Sequence, residues 1–545
     1  MKKRFLGILL AAAMVVGTLT GCGGGSSQGG DTTKPGTTPT TDTGAATDKT
    51  VVIGMATDLK TLDPGYMYEV FGNMYAYATY DMLYRIEGND MSNPKPSVAT
   101  GYTLSDDAMT YTFKLRDDVT FSSGNKLTAK DVVWTINRVR NLKSNTYAHV
   151  EGISDIKAPD DTTVVITLKA PDASFITKLA SNAYGIVDSE VVKANGGTDA
   201  ADAATTDKGR DYLDKNSAGS GPFILENWTS GVELVLKKNP TYWGKSGNVE
   251  RVIIKEIPDA NTQIQMLEKG EIDVAFTLNS DNIGQLEGKE GINILRGQSA
   301  VCTFLLMNND AAVGGPMANP DVQQAVRYAL DYKGLKTLCG EGASLPLSIV
   351  PQGFVGALTR PDDYQNIEKA KELMAKAGYA DGFTIKLTTA NYDTEGMTWT
   401  TIAQKVQSDL AAIGIKVEIE TSEIGVVIDQ YREAKVPFLV MHWSPDYYEI
   451  NNQLVFLPGD TVGARANWNK SDNTAKMTEL GNGIIGEADN AVRQAKSEEL
   501  QKLMTENSPY AFLLQHPKVF AASSKLENVV YNDLCKLQLS ELNIK

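Results

Sequence analysis

Few residues in this 545-residue chain have the types and spacing that chemistry needs. Three histidines, His149, His442 and His516, lie far apart, and the four cysteines, Cys22, Cys302, Cys339 and Cys535, include no C-x-x-C pair. Neither a zinc-ligand spacing nor an H-E-x-x-H helix is present in the sequence. Gly25-Ser26-Ser27-Gln28-Gly29 matches the hydrolase pattern G-x-S-x-G, but that pattern needs a strained strand-to-helix turn, which a low-complexity segment does not offer. No G-x-x-x-x-G-K-[ST] loop occurs, so ATP hydrolysis is not expected here. We therefore expect no catalytic residue, no cofactor and no metal site. What remains is Met441-His442-Trp443-Ser444-Pro445-Asp446-Tyr447-Tyr448. It follows the apolar strand Phe438-Leu439-Val440 and turns polar and aromatic, as a chain does on leaving the core for a cleft. A carboxylate there can hold a cation through a charged hydrogen bond of about 1.5–3 kcal/mol. The plain alternatives are an exposed capping aspartate and a core tryptophan.

The N-terminus sets the compartment. Lys2, Lys3 and Arg4 precede an apolar stretch from Phe5 to Val16, shorter than the about 20 residues of a membrane-spanning helix. Leu19-Thr20-Gly21-Cys22 then resembles a bacterial lipobox, which implies that residues 1–21 are removed as a signal peptide and Cys22 is diacylated. Residues 22–49 are almost entirely Gly, Ser, Thr, Asp and Pro, and we expect a disordered tether with a reach of roughly 30 Å. The protein is thus expected outside the cytoplasm, anchored to the membrane by lipid. Residues 50–545 show no further membrane span and suffice for two or three domains. A net charge of −15 without a basic stripe argues against nucleic acid as a partner. With Cys22 assigned to lipid, Cys302, Cys339 and Cys535 form an odd set; one disulfide and three thiols both stay open.

The elements that position these residues follow from periodicity. Val51-Val52-Ile53-Gly54 reads as a buried strand. Tyr111-Phe113-Leu115, Val164-Ile166-Leu168, Val232-Leu234-Leu236 and Val252-Ile254 alternate with strand period. Val322, Ala325, Val326, Ala329 and Leu330 share one helix face. Ile367, Ala370, Leu373, Met374 and Ala377 form a second face, closed by Gly378 as a left-handed cap, before the strand Phe383, Ile385, Leu387. Ile402, Val406, Leu410 and Ile413 form a third, ending at Gly414 before Ile415-Val417-Ile419. Helix, glycine, strand, twice in succession, is α/β architecture. Asp63-Pro64 is a turn. The run Tyr66, Tyr68, Phe71, Tyr75, Tyr77, Tyr80 after it reads by itself as a helix with an aromatic core face.

Several blocks in order resemble the extracytoplasmic solute-binding proteins of ABC importers, family 5, the oligopeptide- and dipeptide-binding lipoproteins. They are Thr61-Leu62-Asp63-Pro64, Tyr111 to Arg116, Val119 to Gly124, Leu127 to Val132, Gly219-Ser220-Gly221-Pro222-Phe223, Asn239-Pro240-Thr241-Tyr242-Trp243, Leu267 to Asp273, Met307-Asn308-Asn309 and Val326 to Asp331. Locally these read as structural; Thr128 with Asp131, for example, is a capping-box pair. The resemblance implies a two-lobed periplasmic-binding-protein fold of the cluster C type with an extra domain inserted in the first lobe. Lobe I would comprise 50–95, 215–300 and 520–545, the inserted domain 96–214, and lobe II 301–519. It further implies a monomer that binds an extended peptide and hands it to an ABC permease with its ATPase subunits. Peptide-binding relatives carry Trp-x-x-Asp-Tyr, which carries over to Asp446 as partner of the ligand's α-ammonium, with Trp443 and Tyr447 as walls. Tyr68, Glu69 and Phe71 are candidates for contacts along the peptide, and Arg465 for its carboxylate or, equally, for a surface ion pair. Some relatives pair a cysteine at the place of Ser444 with one at the place of Cys302; Ser444 removes that pairing here. The same fold also serves nickel chelates and oligosaccharides, and sensing of peptide pheromones is a further alternative.

Overall fold

Two strands much longer than the rest organise the chain. In the computed structural model, which describes residues 49–545 apart from Asp58 and Val70, Ile292–Met307 has 16 residues and Tyr510–Ser523 has 14. A usual strand has about five or six. They run antiparallel at the centre of a ten-stranded sheet. Their pairing is continuous from Ile292 with Ser523 to Gln298 with Pro517, breaks, and resumes at Cys302 with Gln515. Such an irregularity bends a strand and sharpens its twist, so the same two strands serve two halves of the sheet.

One half continues through Val274–Ala275, Thr50–Met55, Arg251–Glu256, Glu233–Lys238 and Phe223–Thr229; the other through Phe438–Trp443, Phe383–Ala390 and Ile415–Ser422. Thr50–Met55 is parallel to both its neighbours, and so is Phe383–Ala390. A separate four-stranded antiparallel sheet is built from Ala99–Leu104, Thr110–Leu115, Thr163–Leu168 and Ile153–Asp160, with the helix Ala129–Leu142 packed against it. The signal peptide, Cys22, the tether and the Gly25 to Gly29 pattern lie outside the described residues.

The helix punctuation follows the expected chemistry. Asn366 caps Ile367–Lys376 by accepting from Lys369 N at 2.9 Å, and Gly378 takes a φ of +84° beyond its end. Asp131 accepts from Thr128 N at 2.9 Å at the start of Ala129–Leu142. One expectation fails at its edge. Val232 is not a strand residue: it sits beside Gly231, at φ +72°, in the hairpin turn before Glu233–Lys238 and is 56% exposed. Leu234, Val235 and Leu236 are all buried, since the strand is covered on both faces.

Several of the sequence blocks meet in buried polar knots. Ser220 Oγ and Trp243 Nε1 both donate to Asp81 Oδ2 at 2.8 Å, and Arg116 lies 4.3 Å over the Trp243 ring. Arg327 is buried and donates to the carbonyls of Ser508, Tyr510 and Glu506 at the start of the long strand Tyr510–Ser523. Asp63, 0% exposed, takes both Nη groups of Arg138 at 2.8 and 2.6 Å, while Asp207 takes Nη2 and Nε of the same guanidinium at 2.8 and 2.9 Å. Burial alone would depress the Arg138 pKa; the two carboxylates hold it above its ordinary value. The Thr61 to Pro64 turn is thereby pinned to the 129–207 region, and with it the loop that follows.

Candidate functional site

That loop and the end of Phe438–Trp443 face each other from opposite halves of the sheet. Phe438, Leu439 and Val440 are fully buried, and the chain leaves the core at Ser444-Pro445, where proline's fixed φ favours a turn. Asn452 fixes the turn: its Oδ1 accepts from Asp446 N at 3.1 Å and its Nδ2 reaches the Asp446 carboxylate at 3.4 Å. Across the gap, Tyr68 Oη donates to Asp446 Oδ1 at 2.9 Å, and Glu69 accepts from Tyr68 N at 3.1 Å. Tyr68, Glu69 and Asp446 line a cavity of about 230 Å³, together with His149, Asn182, Tyr448, Asp533 and Lys536. The described partners of the Asp446 carboxylate are a phenol and an amide; among the described residues none is a cation.

The cavity wall contains charge that is already matched. Asp533 is buried and accepts from Tyr448 Oη, Tyr531 Oη, Ala300 N at 2.6 Å and Lys536 Nζ at 3.1 Å. Burial would raise its pKa, but Lys536 and these donors hold it below the usual carboxylate range. His149 is 8% exposed, and its Nδ1 has no hydrogen-bond partner among the described residues. Burial pushes the His149 pKa down against the pull of Asp446, which keeps the ring neutral near pH 7.

The other sequence candidates fall into different places. Phe71 immediately precedes the helix Gly72–Thr79, packs edge-on against Phe276 with centroids 6.3 Å apart, and lines a neighbouring cavity of about 520 Å³. Tyr75, Tyr77 and Tyr80 are core residues, whereas Tyr68 is 46% exposed, so the aromatic run is divided between core and cleft. Trp443 packs edge-on against Phe456 at 5.6 Å, and its buried Nε1 has no partner among the described residues. Tyr447 lies under Lys178, whose Nζ is 4.8 Å from the ring centroid and 2.6 Å from Asp172. Arg465 lies 4.9 Å over the Tyr431 ring and lines neither cavity.

His442 and His516 are structural. His442 Nδ1 is 2.8 Å from Thr394 Oγ1, and burial pushes its pKa down to about 4. His516 Nε2 is 2.7 Å from Thr303 Oγ1 with Cys339 Sγ at 3.6 Å from Nδ1, and burial takes its pKa to about 3. Cys302 and Cys535 are buried free thiols. Sequence reasoning did not single out Asp533 and Lys536 as cavity residues. Their signal was an acid and a base three positions apart in an otherwise largely apolar C-terminal stretch, Val529 to Leu539.

The family model for bacterial extracellular solute-binding proteins, family 5, matches residues 93–464. A probable D,D-dipeptide-binding periplasmic protein of Escherichia coli K12 is 28% identical over 494 residues, covering 89% of this chain and 92% of that one. The structure of HbpA2 from Haemophilus parasuis superposes with a TM-score of 0.78 at 24% identity, covering 91% of this chain and all of the other. A periplasmic binding protein from Helicobacter pylori, solved with the peptide STSA, gives 0.73 at 23%, covering 91% and 98%. The architecture is the two-lobed cluster C fold of periplasmic binding proteins. The chain belongs to the bacterial extracellular solute-binding proteins, family 5.

Proposed function

We propose that this protein captures short peptides by their free amino terminus and delivers them to an ABC importer, and that it is a binder and not an enzyme. The observation that carries the reading is Asp446, a carboxylate at a cleft cavity whose described partners include no cation. An α-ammonium bound there gains a charged hydrogen bond, with Glu69 close by to add to the attraction. The relative from E. coli is named for D,D-dipeptides and the H. pylori structure holds a tetrapeptide, which fits a peptide ligand.

Closure completes the reading. Lobe I comprises residues 50–95, 215–300 and 520–545, lobe II residues 301–519, and residues 96–214 form the inserted domain. The break in strand pairing between Gln298 and Cys302 is the hinge. Ligand bridging Tyr68 and Glu69 on one lobe and Asp446 on the other shifts the population towards the closed form, with Trp443 and Tyr447 stiffening the loop that carries Asp446. Diacylated Cys22 and the tether keep the domain beside its permease, and the ATPase subunits supply the energy.

A thermal-shift screen of the purified protein tests the ligand class. Tri- to pentapeptides with a free N-terminus raise the midpoint; the N-acetylated forms, oligosaccharides and a nickel–histidine chelate do not. A ligand at 100 times its Kd adds about 2.7 kcal/mol. Stabilisation by sugar or chelate alone would refute the peptide assignment.

A further inference from the structure

The charges lining the cleft are paired unevenly. The cavity beside Asp446 and the neighbouring one lined by Phe71, Asn279, Tyr392, Asp393, Glu395 and Lys518 are close together, because Tyr68, Glu69 and Phe71 bring one short stretch of chain along both. Glu395 also acts electrostatically on Lys536 and Tyr448, which line the first cavity. Five carboxylates line the two cavities, Glu69, Asp393, Glu395, Asp446 and Asp533, against two ammonium groups, Lys518 and Lys536.

Both ammonium groups are already engaged. Lys536 is bonded to Asp533 at 3.1 Å, and Lys518, 7% exposed, to Glu395 at 2.9 Å. No cation lining the two cavities is left over for a ligand carboxylate, while Asp446, Glu69 and Asp393 have no ion-pair partner among the described residues. Glu395 is held at φ +47° in the two-residue turn it forms with Gly396, between Asp393–Thr394 and Met397–Thr398, and this turn carries it to Lys518 on the crossing strand. Two charges are thus spent on each other at the edge of the second cavity, with Asp393 beside them.

Resting on the peptide reading, we propose that the preferred ligand is a cationic peptide: its terminal ammonium meets Asp446 and a basic side chain enters the cavity bordered by Asp393 and Glu395, while its C-terminal carboxylate finds no unpaired cation lining these two cavities. Glu395 then has a second role, cancelling Lys518 so that the cavity does not attract acidic side chains.

The test is calorimetric titration of the full-length protein with alanine tetrapeptides carrying one lysine, glutamine or glutamate at the second, third or fourth residue, each as free acid and C-terminal amide. At one of these positions lysine is expected to bind about tenfold or more tighter than glutamate, with amides binding at least as well as acids. Glu395→Gln, which unmasks Lys518, narrows or reverses that preference. Lys518→Met, which leaves Glu395 unpaired, widens it, so the two variants move in opposite directions even if one loses stability. Equal affinity for lysine and glutamate at every position, or a ratio unmoved by both variants, overturns the proposal while leaving the peptide reading intact. Binding of none of these peptides would instead overturn the peptide reading.

Discussion

Asp63 and Asp446 are both turn aspartates next to a proline, yet their surroundings assign them opposite work. Asp63 is fully buried and shares the Arg138 guanidinium with Asp207, so its charge serves the fold. Asp446 sits at the cleft, oriented by Asn452 and touched by Tyr68 from the other half of the sheet. The lesson is that an acidic residue in a family-like block says little until its counter-charge is located. A carboxylate with its cation beside it is architecture; one oriented by neutral donors at a cavity is available to a ligand.

The comparison breaks most sharply at the buried knot. Arg138→Met leaves Asp63 and Asp207 facing each other without a cation, and denaturant unfolding is expected to show a loss of about 3–5 kcal/mol. Because the knot pins the loop that carries Tyr68 and Glu69, the peptide affinity of the molecules that remain folded is expected to fall as well, but less than in Asp446→Asn. A variant with normal stability would mean that the knot is not what pins the loop.

Acid extends the same contrast to the histidines. His516 and His442 are held down to about 3 and about 4 from an ordinary 6.5. Below pH 6.5 the unfolded chain takes up protons that the native one refuses, so the stability these groups contribute is complete above 6.5 and is lost as pH falls towards 4. Denaturant midpoints measured between about pH 7 and pH 5 should fall, and less steeply in His516→Gln than in the wild type. An equal slope would remove His516 from the account.

The smallest effect belongs to the contact across the cleft. Tyr68→Phe deletes one donor to Asp446 and should cost about 1 kcal/mol or less in unfolding free energy. Its effect on peptide affinity should be smaller than that of Asp446→Asn.

Local rules carried much of the fold. Asn366 with Gly378 and Thr128 with Asp131 announce helix ends because capping depends on residues a few positions apart. Val232 departs from the strand pattern because the alternation of Val232-Leu234-Leu236 runs back into the Thr229–Val232 turn, whose third residue is Gly231 at φ +72°. That Asp446 and Tyr68 come to one cavity follows two stretches that the resemblance singled out. Asn182, Asp533 and Lys536, which also line that cavity, were not singled out, since they come from segments remote in sequence that meet only in the folded chain. Arg465 shows the converse: a cation downstream of the cleft turn that packs on Tyr431.

The most direct measurement is calorimetric titration of wild type and Asp446→Asn with one tripeptide and its N-acetylated form. The account predicts that the variant loses about tenfold or more in affinity for the free-amine peptide and that little distinguishes wild type from variant with the acetylated one. Equal losses for both peptides, or none for either, would contradict the role assigned to Asp446.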